Sequence, residues 1–127
     1  MATVRKQLFE QLQAYLPKRK YTLRPNNTAL EQIAKPTILV KQMAIRPAPE
    51  APNGCLEVTF VVTLASPITS PQAAEDALDD DVLELLAALD NDGISIWAEA
   101  RKVISDDRYL AYDIDLTTTT VKDERTD

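Results

Sequence analysis

The sequence predicts an α+β domain, in which a four-stranded, mostly antiparallel sheet has an N-terminal helix and one long central helix packed on it. The chain has 127 residues, the usual size of a single domain. Its apolar residues recur with helical period in two segments and alternate with period two in four others. Two predicted hairpins flank the longer helical segment, an order typical of helices layered on an antiparallel sheet.

The first helix is predicted over residues 3–16. An apolar stripe follows one side of it at helical spacing, formed by Val4, Leu8, Leu12 and Tyr15 and widened by Phe9 and Leu16. Thr3 is placed to cap the free amides at the start. Pro17 ends the helix, because the residue before a proline is driven out of the α region.

Two minor elements are predicted next. Residues 21–24 form a short strand ahead of a turn of proline and asparagine. Thr28 and Glu31 stand at the spacing of a capping box, which predicts one or two helical turns over residues 29–34. Pro36 closes them.

The first main hairpin joins strands over residues 37–46 and 56–64. The continuous run Ile38-Leu39-Val40 opens the first strand and indicates burial on both faces. The second strand alternates with period two. Their connection over residues 47–53 holds three prolines and exceeds the usual hairpin loop. Two interpretations stay open for it: a tip that reaches toward a partner, or a surface loop.

The long central helix is predicted over residues 70–90. Ser70 suits the N-cap and Pro71 the first helical position, and the sequence Asn91-Asp92-Gly93 supplies the stop. Its apolar stripe consists of Ala74, Leu78, Val82, Leu85, Leu86 and Leu89.

The second hairpin joins strands over residues 94–103 and 108–120 through the turn sequence Ser105-Asp106-Asp107. Residues 122–127 are charged and lack apolar anchors, so we expect a flexible C-terminal tail there. The remaining residues, 1–121, are predicted to form one domain.

The composition disfavours most enzyme chemistry. The chain has no His, one Cys and two Gly. Without His, the Ser-His and Cys-His nucleophile pairs and the commonest zinc ligand are missing. One Cys allows neither an internal disulfide nor a thiolate cluster. We therefore predict no catalytic, cofactor-binding or metal-binding residues and no cofactor, and we expect a structural or binding role.

The sequence also shows no stretch typical of a targeting signal. No stretch resembles an export signal, and every apolar run is far shorter than the ~20 residues that cross a bilayer. We expect a soluble protein in the cytoplasm, without a membrane partner.

Charge is divided unevenly along the chain, whose net charge is −6. Residues 1–46 hold nine Lys or Arg against two acidic residues, a net charge of +7, whereas residues 47–127 hold five against eighteen, a net charge of −13. Three interpretations stay open: nucleic-acid binding at one end, a basic surface that meets an acidic one, or two ordinary solvated surfaces.

Two groups of carboxylates are candidates for chemistry. Asp79-Asp80-Asp81 lie on the long helix, where consecutive residues point about 100° apart and do not converge on one ion. A solvated acidic face that repels DNA or meets a basic partner is favoured there. Asp113 and Asp115 share one side of a strand and are candidates for a hard cation. Their alternatives are a solvated face or salt bridges to Arg101 or Lys102.

Three other features have weaker functional interpretations. Cys55 has no evident base and predicts a partly buried free thiol. Trp97 predicts a core or interface anchor rather than a platform for stacked bases. The basic run Lys18-Arg19-Lys20 beside Tyr21 is the beginning of a nucleic-acid patch, although a run of three is too common to be specific.

One family likeness depends on a series of motifs spread along the chain. These motifs are Leu39–Gln42, Leu56–Pro67, Ala73–Asp80, Leu85–Asp90, Trp97, Ala100–Val103 and Tyr109–Asp115. In this order and spacing, over most of residues 4–119, the chain resembles the small tail terminator proteins of long-tailed bacteriophages.

The resemblance implies a non-enzymatic assembly protein of the virion, located at the tail and neck after assembly in the host cytoplasm. Family members form a homohexameric ring that caps the finished tail tube, stops its polymerisation and presents a surface to head-completion proteins. The implied partners are copies of the same chain, the tail tube protein and a head-completion protein, with DNA only as cargo passing through the lumen. The implied fold, a small sheet with helices packed on it, agrees with the prediction above. No functional residue is carried over.

The charges add a hypothesis about the ring. The basic first third of one subunit would meet the acidic remainder of the next. Acidic residues that are not used in contacts between subunits, either on the long helix or at Asp113 and Asp115, would face the lumen and repel DNA. The alternatives are another ring component of the neck, an acidic inhibitor or immunity-type protein whose residues 79–81 mimic nucleic-acid charge, and an enzyme with a carboxylate-bound Mg²⁺.

Overall fold

The computed structural model describes residues 4–17, 19–24, 33–47, 55–68, 70–91, 95–105 and 109–121. It confirms the α+β class, with two helices and five strands in these ranges. In chain order they are α1 (Val4–Tyr15), β1 (Thr22–Arg24), β2 (Thr37–Pro47), β3 (Cys55–Ala65), α2 (Pro71–Asp90), β4 (Ser95–Ser105) and β5 (Tyr109–Val121).

All five strands form one mixed sheet in the order β1-β2-β3-β5-β4. The four long strands pair antiparallel, as predicted, and β1 pairs parallel with the first three residues of β2. The predicted count of four strands is therefore corrected to five. The short strand predicted over residues 21–24 is confirmed as β1, and its pairing with β2 makes it the fifth strand of the sheet.

Both helices pack on the same face of the sheet, called the helix face below. The core between them contains Leu8, Leu12 and Leu16 from α1 and Leu78, Val82, Leu85, Ala88 and Leu89 from α2. The sheet contributes alternate residues, namely Ile38, Val40, Val58, Phe60, Val62, Leu64, Ile114 and Leu116. No helix among the described residues is both long enough and apolar enough to span a membrane.

Among the stripe residues whose burial the structure describes, only one departs from the prediction. The stripe of α2 is buried or half-buried throughout. In α1, Tyr15 is exposed, whereas Leu16, which widens the predicted stripe, is buried as expected. The helix axis therefore presents a slightly different side to the sheet than the regular spacing predicts. Thr3, the predicted cap, lies outside the described residues.

The start of α2 agrees only partly with the prediction. Ser70 is the N-cap with an extended backbone and Pro71 begins the helix, but the Ser70 side chain makes no capping hydrogen bond. At the other end, the backbone N–H of Asn91 donates to the carbonyl oxygen of Ala88 and closes the last turn. The predicted stop at Asp92-Gly93 lies outside the described residues.

The strand run Ile38-Leu39-Val40 is buried on both faces, as predicted. Ile38 and Val40 face the helices, whereas Leu39 packs on the opposite face with Ala65, Tyr109 and Ala111. Among the residues of the predicted helix 29–34, only 33 and 34 are described, and neither is helical. Of the connection predicted over residues 47–53, Pro47 is instead the last residue of β2 and pairs with Leu56. Residues 48–53 and the C-terminal tail 122–127 lie outside the described ranges.

Candidate functional site

The face of the sheet opposite the helices, called the free face below, is the first part of the candidate site. No residue of α1 or α2 belongs to the apolar cluster on this face. That cluster is small and lies at one end of the sheet, where Ile33 and Val103 pack against its four buried members. Neither α1 nor α2, the two helices of the described ranges, lies over the other end of the free face.

Two β-bulges cross this uncovered end at the same level. One interrupts β2 between Gln42 and Ala44, and the other interrupts β4 between Trp97 and Glu99. The register aligns them, because Gln42 pairs with Phe60, Phe60 with Leu116, and Leu116 with Trp97. Bulges bend and twist the strand that contains them. Two aligned bulges therefore produce a crease across the sheet.

A depression with a volume of about 390 Å³ lies at this crease. The two bulge residues, Met43 and Ala98, both line it. Its other lining residues are Arg46, Thr59, Phe60, Val61, Asp115, Leu116 and Thr117. Thr59, Val61 and Thr117 form its floor, whereas the side chains of Phe60 and Leu116 belong to the core on the helix face.

The charged groups at the depression are paired within the protein. The Nε atom of Arg46 lies 3.3 Å from Glu57 Oε1. Arg101 contacts both carboxylate oxygens of Asp115, with Nη1 to Oδ2 at 2.6 Å and Nη2 to Oδ1 at 3.3 Å. Such bidentate ion pairs satisfy the hydrogen-bonding capacity of the carboxylate. The depression therefore offers a largely neutral surface, better suited to packing than to binding an ion.

The structure separates the two carboxylates that the sequence made candidates for a cation. Asp115 pairs with Arg101, which confirms the salt-bridge alternative, and Asp113 accepts a hydrogen bond of 2.7 Å from the Thr63 hydroxyl. Lys102, the other predicted partner, lies on the helix face instead. Within the described ranges, no group of three or more His, Cys, Asp or Glu side chains is arranged to hold a metal ion.

The acidic stretch of α2 is paired on one side by residues near the end of α1. Lys20 Nζ lies 3.1 Å from Asp81 Oδ1 and 3.0 Å from Glu84 Oε1, and the Tyr21 hydroxyl donates to the same Glu84 oxygen. These four residues are called the buried clamp, because Tyr21 and Asp81 are both buried.

Electrostatic effects in the buried clamp follow from these contacts. The hydrogen bond from Tyr21 holds the pKa of Glu84 below its usual value, with Lys20 acting in the same direction. Burial raises the pKa of Tyr21, and its hydrogen bond to Glu84 adds to that rise. The hydrogen bond to Glu84 raises the pKa of Lys20. The clamp therefore holds a charged Lys, a charged Glu and a neutral Tyr at neutral pH.

A second clamp fastens α2 to the edge of the sheet. Lys102 Nζ lies 3.0 Å from both Glu75 Oε2 and Asp79 Oδ1, and the Tyr112 hydroxyl donates to Asp79 Oδ1 at 2.9 Å. These four residues are called the exposed clamp. The hydrogen bond from Lys102 lowers the pKa of Asp79, and the one to Glu75 raises the pKa of Lys102. In each clamp the Lys ammonium lies 5.3 Å from the ring centre of its own Tyr.

The clamps change the interpretation of the acidic helix. Asp79 and Asp81, from the run of three, are neutralised by lysines of the same chain. Asp76 and Asp80 are exposed and form no ion pair with any described residue. The sequence reveals neither clamp, because each lysine lies more than 20 residues from the acids that it contacts.

The predicted nucleic-acid patch is not supported by the described part of the chain. Lys20 and Tyr21 belong to the buried clamp, and the Tyr21 ring is buried in the core. No base can therefore stack on it. Arg19 is exposed, and Lys18 lies outside the described ranges.

Trp97 and Cys55 behave as predicted. Trp97 is half-buried against the core, and its Nε1–H donates to Asp90 Oδ1 at 3.1 Å, which ties β4 to the end of α2. Cys55 is a half-buried free thiol at the start of β3.

Large exposed apolar side chains form the second part of the candidate site. Four of them lie on β2 and β4: Met43 is 62% exposed, Ile45 55%, Ile96 73% and Ile104 65%. β4 is one edge of the sheet, and β2 lies next to the other edge. Tyr15, Ile68 and Leu83 are the other exposed large apolar residues of the described ranges. The sequence analysis placed the four residues of β2 and β4 in strands. Which of their side chains remain uncovered depends on where the helices pack.

No protein-family model matches the chain, and no curated protein matches it significantly. The functional assignment therefore depends on the residues and geometry described above.

Proposed function

We propose that the protein is a structural virion subunit that forms a ring, caps the completed phage tail tube, ends tail polymerisation and presents the interface to the neck proteins. The sequence motifs that resemble tail terminator proteins support this proposal. The localisation at the tail and neck and the homohexameric state belong to the same proposal.

One structural observation supports an assembly role most strongly. Exposed large apolar side chains are concentrated on β2 and β4, toward opposite edges of one sheet. Uncovered apolar side chains at defined places mark protein interaction surfaces. Two different surfaces on opposite sides of a subunit produce a head-to-tail contact, which closes into a ring when the rotation permits.

The hypothesis that the basic first third of one subunit attracts the acidic remainder of the next applies to fewer residues than the net charges indicate. Lys20 and Arg46, two cations of the basic first third, are each paired with acids of their own chain. Contrast between the basic first third and the acidic remainder therefore contributes less to contacts between subunits than the net charges imply. Asp76 and Asp80 are the exposed acids of α2 that remain to repel DNA in the lumen. Asp113 and Asp115 are bonded within the sheet and suit this role less well.

The test is assembly of tails with and without the protein, with tail length measured by electron microscopy. We expect tails of uncontrolled length when the gene is deleted, and tails of normal length when it is restored. Tails of normal length without the protein would overturn the terminator assignment. Tails of normal length that fail to join heads would identify another ring component of the neck.

The acidic-inhibitor alternative is tested by the mass of the protein in solution. An inhibitor that mimics nucleic acid is expected to be a monomer that binds one basic partner. The clamps reduce the support for this alternative, because Asp79 and Asp81 are paired with lysines of the chain itself.

A further inference from the structure

Two strand edges of the sheet remain unpaired within the described residues. Among the described strands β4 pairs only with β5, so none of them lies beside the other edge of its 11 residues. β1 covers only Thr37–Leu39 of β2, and β2 continues for eight residues beyond that cover. Residues 42–47 of β2 are all exposed. An unpaired edge presents free backbone N–H and C=O groups, a template for another strand.

The directions of these two edges suit head-to-tail pairing. β2 and β3, β3 and β5, and β5 and β4 are antiparallel pairs, so β2 and β4 point in opposite directions. A second copy placed beside β4 in the same orientation would thus add its β2 as an antiparallel neighbour. The helices of both copies would then lie on one side of a continuous sheet.

We propose that the edge of β4 over residues 97–104 pairs antiparallel with the edge of β2 over residues 40–47 in a second copy of this chain. This inference deepens the proposed ring and rests on it. It identifies the partner surface as the strand edge of an identical subunit. Strand addition of this kind gains its affinity from backbone hydrogen bonds and its specificity from the side chains.

The faces of the sheet determine the register. Val40 would lie opposite Ile104, Ile45 opposite Ala100, and Arg46 opposite Glu99. In this register every helix-face residue of one strand meets a helix-face residue of the other, once each bulge residue is left unpaired. A slip of one residue would turn each strand's side chains to the wrong face.

The side chains agree with this register. Arg46, which contacts Glu57 of its own chain, would also lie opposite the oppositely charged Glu99, and both side chains are more than half exposed. The exposed Ile45 and Ile104 both gain apolar neighbours. A slip of two residues would instead place Arg46 opposite Arg101, and like charges directly opposite each other destabilise a sheet.

The lengths of the two edges also match. Beyond the pair of Val40 with Ile104, the next residue of β2 is Leu39, which is already paired with β1. β4 ends at Ser105, one residue after Ile104. Arg24, the last residue of β1 in the second copy, would therefore lie next to the end of β4 in the first copy.

The test is disulfide trapping with the full chain, in a Cys55→Ser background. Ile45→Cys and Ala100→Cys are made in separate chains and mixed under mild oxidation. Directly opposed strand residues lie within disulfide range. Within one copy, β3 and β5 separate the two positions by three strand spacings, about 14 Å, which is too far for a disulfide.

We expect a cross-linked dimer in the mixture and none in either chain alone. Ile96→Cys is the matched control. The Ile96 side chain is 73% exposed, but residue 96 lies beyond the segment of β4 that pairs, residues 97–104. It should not cross-link to Ile45→Cys. A chain with both Ile45→Cys and Ala100→Cys should produce a ladder of covalent species that ends at the closed ring.

Other outcomes would overturn the inference in distinguishable ways. Cross-linking of Ala100→Cys to itself would indicate a two-fold pair of β4 strands instead. No cross-link, with a ring mass measured for the same protein, would reject these edges but retain the ring. No cross-link together with a monomer mass would reject both. A ladder without an upper limit would support the edge pairing and contradict the closed ring.

Discussion

The two clamps on α2 use the same residue types in different surroundings. Each combines a Lys and a Tyr with two carboxylates of α2, and each places the Lys beside its own Tyr ring. The Asp81 side chain in the buried clamp is 10% exposed, whereas that of Asp79 in the exposed clamp is 50% exposed. The comparison tests the burial of the tyrosine and the acid, because Lys20 at 47% exposure is no more buried than Lys102 at 30%. Water competes more for the polar groups of the exposed clamp and screens its charges.

The largest effect is expected from Glu84→Ala in the buried clamp. This substitution leaves the hydroxyl of the buried Tyr21 and the ammonium of Lys20 without a shared acceptor. We expect a loss of about 2 kcal/mol in the free energy of unfolding, because hydrogen bonds to charged groups contribute about 1.5–3 kcal/mol. Urea unfolding monitored by circular dichroism measures it.

Asp79→Ala in the exposed clamp is the matched control. It also removes an acid of α2 that accepts from a Lys and a Tyr, and it introduces the same helix-favouring residue. We expect a smaller loss than for Glu84→Ala, and one that disappears in 1 M NaCl because exposed charges are screened there. An equal loss in both variants would show that burial is not the deciding factor.

The two tyrosine hydroxyls extend the comparison to single hydrogen bonds. Tyr21→Phe removes a donor within the core, whereas Tyr112→Phe removes one at the exposed rim of α2. We expect Tyr21→Phe to cost about 1 kcal/mol, and Tyr112→Phe to cost less. Thermal unfolding of the two variants under one buffer condition decides the order, and the reverse order would contradict the burial argument.

The smallest of the expected effects is a difference in pH dependence. The pKa of Glu84 is lowered by Tyr21 and that of Asp79 by Lys102. A carboxyl whose pKa is lowered by folding stabilises the protein above its unfolded pKa, about 4.3 for Glu, and this contribution is lost as the pH falls through the folded value. We expect stability to fall below about pH 4.5, and Glu84→Ala to fall less steeply. Parallel curves for the variant and the parent would show that Glu84 contributes nothing to the acid transition.

The sequence predicted the long elements because their patterns are local. The stripe of α2 and the alternation of the long strands depend on neighbours within a few residues, and all of them are present in the structure. Tyr15 was predicted to be buried and is not, because helical spacing alone does not specify which side chain at the end of a stripe meets the sheet. β1 joined the sheet only through pairing with β2, which a three-residue pattern does not reveal.

The candidate site was harder to predict than the fold. The clamps join residues separated by more than 20 positions, and the crease depends on two bulges brought level by the pairing of β3 with β5. The pairing of Arg101 with Asp115 is an exception, because the sequence placed them on neighbouring strands. Local periodicity thus identified which residues share a face of a helix or strand. Pairing between distant residues determined which of their charges remain free to contact other molecules.

The most direct test of an assembly role is the mass of the purified full chain in solution, measured by native mass spectrometry over a range of protein concentrations. Assembly through the free edges of β2 and β4 should produce a closed species of six times the subunit mass of 14.1 kDa. A monomer at every concentration would contradict the account.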